Sequence, residues 1–172
     1  MQHPSSPQPH PDGSGRAVTC AVLTISDTRT VATDRSGQLI QSLLIEGGHG
    51  VGFYEVLPDE PTPVQEKLHS LSQALQIEAV ILNGGTGIAP RDTTYEAIVG
   101  LLEKTLPGFG ELFRWLSYQE IGSRAMASRA VAGTYGEKLI FSIPGSTGAV
   151  RLAMEKLILP ELAHLVTQLR GG

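Results

Sequence analysis

AVTCAVLTI, Ala17 to Ile25, is a nearly continuous apolar run rich in Val, Leu and Ile. A run of this kind, without polar alternation, suits a β-strand buried on both faces, and such strands belong to parallel sheets covered by helices on each side. Downstream, Leu39, Ile40, Leu43 and Leu44 recur at helical spacing until Gly47-Gly48 stops the helix. Val51 to Leu57 reads as a second strand closed by Pro58, and Val64, Leu68, Leu71 and Leu75 form a stripe on a second helix. Ala79 to Leu82 (AVIL) is a third strand, leading directly into NGGTG. Strand, helix, strand, helix, strand in this rhythm predicts a three-layer, doubly wound α/β fold, its central sheet mainly parallel with helices on both faces.

A further helix is expected from Thr93 or Thr94, whose hydroxyls suit an N-cap. Leu139 to Ile143 (LIFSI) reads as another buried strand, ended by Pro144-Gly145-Ser146. A long apolar-striped helix should run from Thr147 to Leu169, with Pro160 kinking or splitting it. There is no internal repeat. Residues 1–16 (MQHPSSPQPHPDGSGR) carry almost no apolar content, cannot bury enough surface to offset their ordering entropy, and are expected to form a disordered tail to a domain spanning 17–172.

The chain has 172 residues, 41% of them hydrophobic and 17% charged, enough for one domain with a sizeable core. A net charge of -4 gives no basic face for nucleic acid or an anionic membrane, so neither is expected as a partner. A phosphate site in such a chain would have to rest on backbone amides and a metal. The single cysteine, Cys20, excludes an internal disulfide and reads as a small buried hydrophobe. The five histidines form no HxH or HxxxH pair. Neither a membrane span nor a signal peptide is visible, and the cytoplasm is the expected location.

Polar loops follow the expected strands at Ser26 to Gly37, Pro58 to Glu60, Asn83 to Asp92 and Pro144 to Gly148. In open α/β sheets ligands bind outside the carboxyl ends of the strands, where these loops should converge. Gly84-Gly85-Thr86-Gly87 can bring backbone N–H groups to a phosphate, with a hydroxyl from Thr86, or can simply turn the chain. It matches neither GxGxxG nor the P-loop pattern. Asp59 and Asp92 supply the one or two carboxylates that Mg²⁺ takes beside substrate phosphates, or they serve as a turn former and a helix cap. Ser26-Asp27 and Asp34-Arg35-Ser36-Gly37 can bracket a sugar or phosphate, or cap helices. Arg114, Arg124 and Arg129 offer cations for a second anionic group, or are solvated surface. Leu106 to Tyr118 carries more apolar bulk than one short helix ordinarily buries, which points to self-association or to core packing.

TISDTRT (24–30), DRSG (34–37), LPDE (57–60), ILNGGTGIAPRDTTYEA (81–97), LPGFGELFRWLSYQEIGSRAMASRAVAG (106–133) and IPGSTGAVRLAMEKLILPEL (143–162) occur in that order. Together they resemble the MoaB/Mog family of molybdenum cofactor biosynthesis proteins, which includes the gephyrin G domain. The resemblance runs from Ala17 to Leu169 and is nearest to the MoaB branch. PGSTGA stands where Mog and gephyrin carry PGxP.

The resemblance implies adenylylation of molybdopterin with Mg-ATP, or, in branch members that have lost acidic residues, a non-catalytic molybdopterin-binding scaffold. Here Asp59 stands in the PDE position and Asp92 in the PRD position, so the acidic pair is present. It implies Asp59 and Asp92 as catalytic metal ligands. Ser26, Asp27, Asp34, Gly37, Gly84, Gly85, Thr86, Gly87, Gly145 and Ser146 would line the nucleotide and phosphates. Ser117, Ser128 and Arg129 fall on the pterin side, with the serine spacing one residue off the plant relatives. Self-association as a trimer or hexamer, and hand-on to a downstream molybdate-insertion protein, are also implied. Molybdate insertion itself belongs to much longer proteins.

Overall fold

A computed structural model of the chain describes residues 15–171. Residues 1–14, most of the expected tail, lie outside it. Six strands form one sheet in the order β2-β1-β3-β6-β5-β4. They are β1 (Thr19–Ile25), β2 (Gly50–Leu57), β3 (Ala79–Asn83), β4 (Lys104–Thr105), β5 (Val131–Tyr135) and β6 (Lys138–Ile143). β2, β1, β3 and β6 are parallel, while β5 and β4 join antiparallel at one edge.

Side chains alternate along β1. Cys20 and Val22 enter one core with α1 (Arg35–Glu46), α4 (Pro107–Ile121), α5 (Thr147–Ala153) and α6 (Leu159–Leu169). Ala21, Leu23 and Ile25 enter another with α2 (Pro61–Gln73) and α3 (Thr94–Val99). Because both faces are covered, Cys20 to Leu23 and Ile25 are apolar, and Thr24 is the buried polar exception next to the rim. Burial, and then the Glu78 carboxylate, push the Cys20 thiol up to about 12, so it packs as a neutral hydrophobe.

Several expectations are corrected. The last two strands at one end of the sheet, β4 and β5, lie in stretches without apolar runs, KT and VAGTY, and are held by pairing, β5 to β6 and β4 to β5. Leu75 leaves the α2 stripe, because that helix ends at Gln73 and Leu75 is 90% exposed. The terminal helix divides just ahead of Pro160 as expected, though the break is a π-helical turn, Met154–Ile158, and Pro160 sits in the first turn of α6. Thr93 is the N-cap of α3 but its hydroxyl makes no cap bond, and the Thr94 hydroxyl donates to Asp59 instead. Arg16 is ordered: it pairs with the buried carboxylate of Glu78, which also takes Arg170 at 3.0 Å. No helix among the described residues is long and apolar enough to cross a membrane.

Candidate functional site

The loops after β1, β2, β3 and β6 meet at one rim, and their contacts can be followed residue by residue. Asp34 is the N-cap of α1 and is fully buried. It accepts the Gly37 N–H at 3.0 Å and the Tyr54 hydroxyl at 2.6 Å. Burial works to raise its pKa, but hydrogen bonds from Thr24, Tyr54, Gly37 and Ser36 outweigh it and hold the carboxyl below its usual range. The Tyr54 phenol is pushed well above its ordinary value by burial and by Asp34. The Ser36 hydroxyl donates to Asn83 Oδ1 at 2.7 Å, and Asn83 Nδ2 donates to Thr24 Oγ1 at 2.8 Å. Arg29 reaches across, with Nη1 donating to Ser36 Oγ at 2.6 Å and Nη2 to the Gly145 carbonyl at 3.1 Å.

Gly145 in turn lies against Gly84: a Cβ placed on Gly145 would sit 3.1 Å from Gly84 Cα. Gly84 itself is at φ 101° and packs on Ile25, where a Cβ would approach the carbonyl oxygen to 2.2 Å. A side chain fits neither requirement, which explains glycine here. Ser146 accepts the Ala149 N–H and caps α5. Ser26 Oγ accepts the N–H groups of Thr28 and Arg29, at 3.2 and 3.0 Å, and so shapes its own loop.

On the far side of the rim, Asp27 accepts Arg91 Nε at 2.8 Å and Nη2 at 3.0 Å, and the Asp59 N–H at 3.0 Å. The Arg91 hydrogen bonds and then the Asp59 N–H hold its carboxyl below the usual range. Asp59 is buried, and its Oδ1 takes the Thr94 hydroxyl at 2.8 Å and the Thr93 N–H at 3.3 Å. A Cβ on Gly85 would lie 3.1 Å from that same oxygen. Asp92 does not cap α3. Its Oδ2 accepts the Ala89 N–H at 3.0 Å, beneath Gly87, whose Cβ would come within 2.4 Å of it. Asp59, Gly85, Gly87 and Asp92 therefore sit along one short loop surface. A cleft of about 590 Å³ opens beside it, lined by Pro61, Ile88, Pro90, Asp92, Glu96 and Arg129.

With that rim assembled, residues 21–164 match the family described as "Probable molybdopterin binding domain". The chain belongs to this family. It is 53% identical to Molybdenum cofactor biosynthesis protein B of Bacillus subtilis over 166 residues, 96% of this chain and 98% of the relative. A solved structure of Molybdenum cofactor biosynthesis protein B superposes with a TM-score of 0.89 at 52% identity, covering 91% of this chain and 98% of that one. The tungsten cofactor synthesizing protein MoaB from Pyrococcus furiosus gives 0.81 at 33% identity, covering 91% and 99%. A role in molybdenum cofactor biosynthesis follows from the family.

Within the molybdopterin-binding fold the remaining sequence candidates are spread more widely. Arg129 is at the cleft, stacked 4.5 Å above the Tyr95 ring and paired with Glu96, whose carboxyl it holds below the usual range. Ser128 Oγ is buried beside it without a hydrogen-bond partner among the described residues. Ser117 lies on α4, buried on the α1 side of the sheet, and hydrogen-bonds to none of the rim loops. Arg114 donates to the carbonyls of Ser128 and Ala130, supporting that segment. Arg29, Tyr54, Asn83, Arg91 and Glu96 were not singled out from sequence. Asn83 had a legible signal, as the one polar residue closing an apolar strand.

The donor set suits Mg²⁺ better than a protein-caged metal. No cluster of three or more His, Cys, Asp or Glu side chains occurs among the described residues. Asp59 Oδ2 and Asp92 Oδ1 accept no hydrogen bond from the described residues, which leaves one oxygen on each carboxylate. Mg²⁺ typically takes one or two carboxylates and completes its shell with water and substrate phosphate.

Proposed function

We propose that the chain adenylylates molybdopterin. The terminal phosphate oxygen of molybdopterin attacks the α-phosphorus of ATP, a new P–O bond forms, and the bond to the bridging oxygen breaks so that pyrophosphate leaves with the electron pair. What carries this reading is the pairing of two available carboxylates, Asp59 and Asp92, with the Gly84–Gly87 loop between them. Transfer of this type asks a protein for positioning and charge stabilisation more than for covalent help. Mg²⁺ held by Asp59 and Asp92 would neutralise the charge developing on the phosphates.

The other rim residues have distinct parts in this reading. Amides of Gly85, Thr86 and Gly87 face the phosphates, while Gly84, whose own N–H is bonded to the Ile143 carbonyl, sets the turn that presents them. Ser26, Asp27, Asp34 and Gly37 shape the nucleotide wall, and Gly145 and Ser146 close it from β6. Molybdopterin takes the Arg129 end of the cleft, with Ser128 adjoining, and Asp92 at the other end holds the metal. Ser117 is assigned to the pterin on family resemblance alone. The test is to incubate the purified protein with molybdopterin and Mg-ATP and to follow adenylylated product and pyrophosphate. Stoichiometric release of both is expected. Bound molybdopterin with no turnover would make the chain a scaffold of the same pathway.

Self-association belongs to the same proposal. Along α4 the residues Leu112, Trp115, Tyr118 and Ile121 are 52%, 60%, 62% and 57% exposed, an apolar stripe on a helix whose other face is in the core. A stripe of that kind marks a protein contact. We expect a trimer or hexamer by light scattering at micromolar concentration, and a monomeric mass would remove this part. The downstream molybdate-insertion protein is the proposed recipient of product.

A further inference from the structure

Gly85, Thr86, Gly87 and Ile88 follow one another with no acceptor for their backbone N–H groups among the described residues. Gly84 N–H bonds to Ile143 and Ala89 N–H to Asp92, so the free run is bounded on both sides. What aims these amides is a side chain about 40 residues downstream. Arg129 Nε donates to the Thr86 carbonyl at 3.0 Å, and Nη2 donates to the Gly87 carbonyl. The guanidinium is fixed from behind by Glu96 and from its face by the Tyr95 ring.

A trans peptide unit is planar, with C=O and N–H pointing in opposite directions. Drawing the Thr86 and Gly87 carbonyls toward Arg129 therefore turns the Gly87 and Ile88 N–H groups away from it, toward the exposed side of the loop. Of the five guanidinium N–H groups, Nε–H, both on Nη2 and one on Nη1 are committed to Thr86, Gly87 and Glu96. Little donor capacity is left for a ligand.

We propose that Arg129 is a positioning residue that aims the Gly87 and Ile88 amides at a bound phosphate, acting through the loop and not as the phosphate's own cation. This rests on the reading of Gly84–Gly87 as a phosphate cradle. The planar fork spreads fixed donors over two successive carbonyls and Glu96 together, whereas the compact, rotatable ammonium of lysine keeps the charge but not that geometry. The probe is inorganic pyrophosphate with Mg²⁺, titrated calorimetrically into the full chain, with backbone amide shifts of Gly87 and Ile88 followed by NMR. Arg129→Lys should weaken pyrophosphate by about 10-fold and blunt the shift of both amides on binding. Thermal unfolding reports whether the variant is folded.

Wild-type affinity and wild-type amide shifts in folded Arg129→Lys overturn the proposal. If that variant does not fold, Glu96→Gln decides, because it frees the back of the guanidinium while leaving Arg129 in place. A weakening of roughly threefold is then expected, and unchanged affinity overturns the role. A wild type that binds no pyrophosphate also overturns it. A wild type that binds pyrophosphate but never adenylylates molybdopterin defeats the enzymatic reading and leaves the positioning role standing.

Discussion

The two sides of the rim are built from similar residues and differ in what they leave unspent. In the β1–α1 side, Asp34, Ser36, Asn83, Thr24 and Tyr54 bond to one another, and all but the half-buried Tyr54 are buried. In the β3–α3 side, four successive amides and one oxygen on each of two carboxylates have no protein partner among the described residues. Closed networks of this sort rigidify a wall, whereas open hydrogen-bonding capacity at the surface is what a ligand can use. Polar residues at strand ends thus divide into a scaffold and a working surface, and the division follows from hydrogen-bond accounting rather than from residue type.

The largest expected effect tests the closed side. A Cβ on Gly37 would lie 2.0 Å from Asp34 Oδ2 and 2.6 Å from Thr24 Oγ1, inside a fully buried network. Gly37→Ala must displace that carboxylate or break its bond to the helix, and should destabilise the fold by about 3 kcal/mol. Denaturant unfolding should show the midpoint fall accordingly. Wild-type stability would mean that the wall is not the rigid partner in this comparison.

On the open side the loss should be in turnover with little change in stability. Asp92→Asn keeps size and can still accept the Ala89 N–H, but removes the charge that a Mg²⁺ ligand carries. Turnover is expected to fall by about 100-fold, or ~2.7 kcal/mol, with molybdopterin binding retained. Asp59→Asn should act alike, and the double variant should lose far less than the product of the two, since one Mg²⁺ would serve both. Wild-type turnover in both single variants would remove the metal assignment.

Much of this was legible in the chain and part was not, for identifiable reasons. β1 and β3 announce themselves because burial on both faces forces apolar runs, and the rim loops are legible as the polar stretches at the ends of those runs. β4 and β5 carry no such mark, since short strands at the end of a sheet are specified by their neighbours more than by their own composition. The convergence of Asp59 on Gly85 and of Asp92 on Gly87 was an expectation from loop position. The partners of Arg129 and Arg29 were beyond reach. Each joins loops far apart in sequence, Arg129 to Thr86 and Arg29 to Gly145, and a lone arginine looks the same whether it is solvated or committed. Ser117 is a motif position that the fold buries in α4, with no hydrogen bond to a rim loop, so its assignment rests on the motif alone.

The smallest expected effect sharpens the comparison by asking whether charge is what the closed side stabilises. The Tyr54 hydroxyl donates to Asp34 Oδ2 at 2.6 Å, so Tyr54→Phe removes one bond to a buried carboxylate and leaves the ring in place. At pH 7 the variant should be less stable by about 2 kcal/mol, the scale of a hydrogen bond to a charged group. The sign of its pH dependence follows from the depressed carboxyl of Asp34. A carboxylate whose folded pKa lies below its unfolded value contributes stability that is fully present above the unfolded value, about 3.9, and that is lost as pH falls through the folded one. Without the Tyr54 donor, the folded pKa of Asp34 moves back toward the unfolded value. Less stability then remains to be lost in acid, so the gap between wild type and Tyr54→Phe should narrow as pH drops below about 4. Chemical denaturation at a series of pH values between neutrality and that range measures the gap directly. A gap that stays constant into acid would show that Tyr54 contributes packing, not a bond to charge, and the closed side would then be held together as a neutral network.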